Sequence, residues 1–123
     1  MDAFFDHDRL HVYQAARQFN REIGRLLGEL PRGNAESRSN LRRAAMSITR
    51  NIAEGSGKWK LPDKINFYHI ARASATECAA CLDEERRCLP GSEPALRMSR
   101  LQIRTGQLCA CFAGTSWIGT GST

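Results

Sequence analysis

Apolar residues recur at intervals of three and four through most of this chain, and this spacing limits what the chain can fold into. An α-helix of 3.6 residues per turn places residues with that spacing along one face. The first such stretch runs from about Asp8 to Leu30 and contains Val12, Tyr13, Ala16, Phe19, Ile23, Leu26, Leu27 and Leu30. It is predicted to form an amphipathic helix.

A second and a third stretch show the same spacing. The second runs from about Ala35 to Glu54, and the third starts near Pro62 and ends at about Arg87. Proline suits the first turn of a helix because the N–H that it lacks would have no partner there. The residues predicted to face the core are Leu41, Ala44, Ala45, Ile48 and Ile52, then Ile65, Tyr68, Ala71, Ala75, Cys78, Ala79 and Leu82. Both stretches are predicted helices.

Residues that break helices separate these stretches. Pro31-Arg32-Gly33-Asn34 ends the first pattern and offers Asn34 as an N-cap for the second helix. Gly55-Ser56-Gly57 is predicted to form the C-cap region of the second helix.

A fourth helix is predicted from about Ala95 to Phe112, and its pattern is weaker. Gly106 lies inside it, at a cost of about 1 kcal/mol relative to alanine. The residues that share its apolar face are Met98, Leu101, Leu108 and Phe112. With no alternating strand pattern, the chain is predicted to be all-α, an antiparallel up-down four-helix bundle over residues 1–112, with a short irregular C-terminal tail over 113–123.

The N-terminal residues and the cysteines indicate the compartment. The chain starts with an acidic segment where a secretory signal would be basic, and no apolar run approaches the roughly 20 residues that span a bilayer. A cytoplasmic protein without membrane contact is therefore expected. The cysteines, at positions 78, 81, 88, 109 and 111, are odd in number and are predicted to be reduced thiols.

Patterns that would indicate catalysis or a cofactor fail on named residues. A di-iron bundle needs Glu-x-x-His pairs, and none of His7, His11 and His69 follows a glutamate at that distance. Cys78-x-x-Cys81 lies within a predicted helix and favours core thiols over a zinc site. Gly55-Ser56-Gly57-Lys58 follows a helix, whereas a phosphate loop follows a strand. No enzyme activity, cofactor or metal is therefore predicted.

Arginine accounts for most of the chain's 18 basic residues, and the net charge is +5. Residues 38–60 alone contain six basic residues and one acidic residue. The candidate nucleic-acid-binding residues in the first two helices are Arg17, Arg21, Arg25, Arg38, Arg42, Arg43 and Arg50. The alternative is a solvated surface on which these arginines pair with Glu22, Glu29 and Glu54.

Lys58-Trp59-Lys60 adds a second candidate contact for nucleic acid. An aromatic ring between two cations can stack on a base while the lysines reach phosphate groups. The alternative is that Trp59 packs on the bundle as an ordinary loop residue.

Several polar residues lie close to the apolar stripes of the second and third helices. They are Ser47, Asn51, Glu54, Ser74 and Glu77. Buried polar groups need hydrogen-bond partners, so a structural polar layer between helices is favoured over a substrate site.

The same two helices carry a family resemblance. Its motifs are Leu41-Arg42-Arg43-Ala44-Ala45-Met46-Ser47-Ile48 and Asn51-Ile52-Ala53-Glu54-Gly55, followed by Phe67, Ile70-Ala71-Arg72, Ser74 and Glu77. Over about Leu10 to Leu82 the chain resembles a bacterial four-helix-bundle family. That family comprises proteins encoded in intervening sequences of ribosomal RNA genes and the accessory variability determinant proteins of diversity-generating retroelements.

The resemblance implies a ring-shaped homo-oligomer, a pentamer, with a basic surface. In the retroelement members that surface engages nucleic acid and a reverse transcriptase, and no catalytic residues are associated with the family. Two functions are therefore expected as alternatives: a non-enzymatic homo-oligomer that binds RNA or DNA, or a protein-interaction scaffold with no nucleic-acid ligand.

Overall fold

The described part of the chain forms four α-helices, in agreement with the predicted all-α fold. The computed structural model describes residues 10–31, 33 and 35–113. The helices are α1 (His11–Glu29), α2 (Ala35–Ser56), α3 (Leu61–Cys88) and α4 (Glu93–Ala113). The predicted cap Asn34 and most of the predicted tail, residues 114–123, lie outside the described residues.

The helices form an antiparallel bundle in which α1 and α3 each contact both α2 and α4. The apolar side chains on the inner faces of the four helices form one continuous core. Its largest fully buried members are Phe19, Ile23, Leu26, Leu41, Ile48, Ile52, Leu82, Met98, Thr105 and Cys78. The intervals of three and four in the sequence therefore identified the core face of each helix.

The C-terminal end of α2 differs from the prediction. Gly55 and Ser56 belong to the helix, which ends at Ser56 and not at Glu54. A Cβ atom on Gly55 would lie 2.8 Å from Cε1 of Tyr68 and 3.1 Å from Cβ of Phe67. This glycine therefore allows α3 to approach α2 closely, and the helix ends within the predicted C-cap region, Gly55-Ser56-Gly57.

A lysine of α3 caps the C-terminal end of α2. Lys64 Nζ donates hydrogen bonds to the carbonyl oxygens of Gly55 and Ser56, at 3.1 and 3.2 Å. The last carbonyl groups of a helix have no partner within it, so a cation from the next helix stabilises them.

The fourth helix is longer and more regular than its sequence pattern suggested. It begins at Glu93, where the Ser92 hydroxyl accepts a hydrogen bond from the backbone N–H of Ala95 at 3.1 Å. Thr105 is 1% exposed and fills the core position that lies between Leu101 and Leu108. The sequence pattern looked weak because this buried residue is a threonine, whose hydroxyl donates within the helix to the carbonyl of Gln102.

Candidate nucleic-acid interface

Three of the five predicted polar-layer residues meet between α2 and α3. The hydroxyl oxygens of Ser47 and Ser74 lie 2.7 Å apart, and Asn51 Nδ2 donates to the Ser47 carbonyl at 2.8 Å and to its hydroxyl at 3.0 Å. Glu54 and Glu77 do not join this network, because both side chains are on the exposed surface. The polar layer therefore consists of Ser47, Asn51 and Ser74, and it connects two helices.

Five of the predicted arginines are exposed along the outer sides of α1 and α2. We call this surface the α1–α2 flank, and it consists of Arg17, Arg21, Arg42, Arg43 and Arg50, all exposed. The two helices are held together at the level where Asn20 Nδ2 donates to the carbonyl of Ala45, at 2.7 Å. Arg17 and Arg21 of α1, and Arg42 and Arg43 of α2, lie within one helical turn of this contact along the sequence.

The carboxylates that were expected to neutralise the flank pair with other residues. Glu22 and Glu29 of α1 form ion pairs with Arg104 and Arg97 of α4. Glu54 pairs with Lys58 at 3.8 Å. Within residues 10–31 and 35–113, no carboxylate lies within ion-pair distance of a flank arginine, so the alternative of local charge pairing does not describe this surface.

The polar contacts of the flank arginines are with neutral groups. Arg21 donates to Gln18 Oε1 at 2.5 Å, and Arg43 donates to Asn40 Oδ1. The guanidinium carbon of Arg17 lies 6.0 Å from the centre of the Tyr13 ring. These contacts orient the side chains but leave their positive charge uncompensated.

Arg38 has a different environment from the other predicted arginines. Its Nε lies 3.6 Å from Oε2 of Glu85 on α3, and its side chain is only 18% exposed. Its Nη1 also donates to the Pro31 carbonyl. Because its guanidinium contacts Glu85 and the Pro31 carbonyl, Arg38 is not counted in the flank.

Arg25 lies apart from the flank, in a groove between α1 and α4. We call this the α1–α4 groove; its lining residues are Glu22, Arg25, Arg97, Arg100, Leu101 and Arg104, and its volume is about 250 Å³. The sequence analysis missed the three arginines of α4. Their spacing of three and four residues was a usable signal, because it places them on one face of a helix.

The segment between α2 and α3 presents a tryptophan to solvent. Trp59 is 100% exposed, so it is not packed on the bundle as the structural alternative required. Lys58 Nζ lies 5.1 Å from the ring centre of Phe67, and Lys60 is exposed at the start of α3. The aromatic side chain and one adjacent cation are therefore accessible to a ligand.

The five cysteines differ in how far their side chains are buried. Desolvation raises the pKa of the Cys78 thiol to about 12, and it also raises the pKa of Cys81. Cys88 and Cys111 are exposed. In the described part of the chain, no group of three or more His, Cys, Asp or Glu residues is arranged to hold a metal ion.

These features define a small four-helix-bundle protein whose distinctive chemistry is a pair of arginine-rich surfaces. The sequence profile of a family described as 23S rRNA-intervening sequence protein matches residues 8–93. The chain belongs to this family, which confirms the resemblance to ribosomal RNA intervening-sequence proteins; the resemblance to retroelement accessory proteins stays a prediction. No curated protein has a sequence that matches this chain.

The family match covers the first three helices. The matched region starts before α1 and ends at the first residue of α4, so it includes the whole α1–α2 flank. None of the helices in the described residues combines the length and apolar character needed to cross a bilayer.

Proposed function

We propose that this protein is a non-enzymatic, cytoplasmic homo-oligomer that binds nucleic acid, RNA or DNA, through the α1–α2 flank. The observation that carries the proposal is that α1 and α2 expose five arginines while Glu22, Glu29 and Glu54 pair with other residues. Guanidinium groups match phosphate geometry through paired N–H donors, so such a surface favours polyanions.

The dimensions of the flank support contact with several phosphates. Arg43 and Arg50 are seven residues apart on α2, which corresponds to about 10 Å along a helix axis. Successive phosphates of a duplex strand advance by about 3.4 Å along the duplex axis. The flank therefore contacts a short run of backbone without reading base identity, and Trp59 supplies a stacking surface at one end of the bundle.

Assembly is part of the proposal. A homo-oligomer of five copies is what the resemblance implies, and exposed apolar residues on α4, Leu96 at 55% and Ile103 at 64%, are available for contacts between copies. Several copies would concentrate the positive potential, because their flanks would lie within about a Debye length of one another. A reverse transcriptase is proposed as a partner only where a neighbouring gene encodes one. The mass of the assembly in solution tests the number of copies.

The nucleic-acid proposal is tested by a salt titration on purified protein freed of nucleic acid. Binding of a labelled oligonucleotide should weaken steeply as salt rises. The double variant Arg43→Glu/Arg50→Glu should bind at least about tenfold more weakly to all sequences, with a salt slope smaller by about two.

The control is Arg72→Glu/Arg87→Glu, which makes the same change in charge at exposed positions on α3, one of which, Arg87, pairs with Asp83. It should retain most of the affinity. The proposal fails if the wild-type protein shows no binding at low salt, or if the control loses as much affinity as the flank variant.

A protein-interaction scaffold is the second candidate. The observation that favours it is the exposure of large apolar side chains, Trp59 above all, since such residues often mark contact surfaces. On this hypothesis the wild-type protein keeps its partner after nuclease treatment. The Arg43→Glu/Arg50→Glu variant also keeps it, whereas Trp59→Ala loses it.

A further inference from the structure

The α1–α4 groove brings together four arginines from two helices, two of which pair with carboxylates. Arg25 comes from α1, and Arg97, Arg100 and Arg104 come from α4, with Leu101 at the base of the groove. The groove lies on the far side of α1 from α2, so it is a separate surface from the α1–α2 flank.

Ion pairs close the groove at both ends. Glu22 pairs with Arg104, and Glu29 pairs with Arg97, which also lies 3.8 Å from Glu93. Hydrogen bonding to Glu29 raises the pKa of Arg97. Along each helix the paired residues are seven positions apart, so the two ion pairs are separated by about 10 Å.

Arg25 and Arg100 occupy the interval between those ion pairs. Because α1 and α4 are antiparallel, the two side chains face the groove at a similar level, one from each helix. Both are exposed, and in the described residues neither lies within ion-pair distance of a carboxylate. Two guanidinium groups, one from each helix, therefore line the groove without a carboxylate partner in the described residues.

The groove lies between the two adjacent helices that have the smallest packing contact. Repulsion between partly screened guanidinium groups opposes helix packing, and an anion placed between them would convert the repulsion into two attractive contacts.

We propose that the α1–α4 groove binds a phosphate-class oxyanion between Arg25 and Arg100. Each guanidinium presents paired N–H donors that match two oxygens of one tetrahedral group, and the flanking ion pairs hold the neighbouring arginines in place. The anion comes from free phosphate or a phosphomonoester, or from a nucleic-acid backbone. In the second case the assignment rests on the proposed function.

The test uses thermal unfolding of the full chain with inorganic phosphate, compared with chloride at equal ionic strength. Phosphate at about ten times its Kd should raise the Tm of the wild-type protein by about 5 °C. Arg100→Gln should unfold at the same or a higher temperature in chloride, because the repulsion is gone, and should lose the phosphate-dependent rise.

Arg72→Gln is the matched control, because it removes one exposed arginine on α3 and should keep the phosphate-dependent rise. Retention of that rise by Arg100→Gln, or its absence from the wild-type protein, would overturn the proposal.

Oligonucleotide binding then distinguishes the two sources. If Arg100→Gln weakens oligonucleotide binding as well as abolishing the phosphate response, the anion is a backbone phosphate. If only the phosphate response is lost, the bound anion is free phosphate or a phosphomonoester. Both results support the site. Since inorganic phosphate alone tests the groove, its failure is distinguishable from failure of the flank to bind nucleic acid.

Discussion

Arg38 and Glu85 form an ion pair between α2 and α3, with Nε of the arginine 3.6 Å from Oε2 of the glutamate. The side chain of Glu85 is only 6% exposed, so its carboxylate is largely shielded from solvent. Arg38 also donates to the carbonyl of Pro31, which connects the end of α1 to both helices. One side chain therefore holds three segments of the bundle together.

Replacing Arg38 with methionine should destabilise the protein by about 2 to 3 kcal/mol. The substitution keeps much of the side-chain volume but leaves the buried Glu85 without its partner. An uncompensated buried carboxylate is strongly destabilising. Urea unfolding measures the change. The double variant Arg38→Met/Glu85→Leu should recover most of the loss, and a single variant as stable as wild type would show that the pair contributes little.

Adding a methyl group to Gly55 should destabilise the protein by about 1 to 3 kcal/mol, because the new Cβ meets the Tyr68 ring at 2.8 Å. The matched control is Gly106→Ala, which adds the same group to a helical glycine with nothing within 4 Å. That change should stabilise the protein by up to about 1 kcal/mol. Equal effects of the two substitutions in urea unfolding would contradict the close approach of α3 to α2.

The sequence predicted the helices well because each helix buries its own apolar stripe, and a stripe is a local pattern. The end of α2 also falls within the predicted C-cap region. Glycine often ends helices, but the missing side chain of Gly55 also serves the contact with Tyr68. Only the position of the next helix reveals this second role.

The candidate site was less predictable, because it depends on which helices become neighbours. Glu22 pairs with Arg104, which is 82 residues away along the chain, instead of with an arginine of its own helix. This pairing leaves Arg17 and Arg21 without a carboxylate partner in the described residues. It also forms one end of the α1–α4 groove. Spacing along one helix carries no information about such pairings.

The hydroxyl groups of Ser47 and Ser74 should show measurable coupling. Their oxygens are 2.7 Å apart between α2 and α3, and Ser74 is 8% exposed, so either alanine variant removes the hydrogen bond between the two hydroxyls. A double-mutant cycle by urea unfolding should give a coupling energy of about 0.5 to 1.5 kcal/mol. Strict additivity of the two alanine substitutions would mean that Asn51 or water replaces the lost bond without cost.

Cys78 should make the stability of the protein fall in alkaline solution. Burial raises the pKa of its thiol from an ordinary value of 9.0 to about 12. Between these values the unfolded chain releases a proton that the native protein keeps, so the free energy of unfolding decreases as pH rises. The slope approaches about 1.4 kcal/mol per pH unit.

Cys78→Ala should therefore be less stable than wild type near pH 8, where it lacks the buried thiol's packing, and the difference should shrink as pH rises from 9 towards 10.5. Urea unfolding in the presence of a reductant measures both curves. The raised pKa of Tyr68 acts in the two proteins alike and cancels in the comparison. Cys88→Ala, at an exposed position, should follow the wild-type curve at every pH. A constant difference between wild type and Cys78→Ala would mean that water reaches Cys78 in the native bundle.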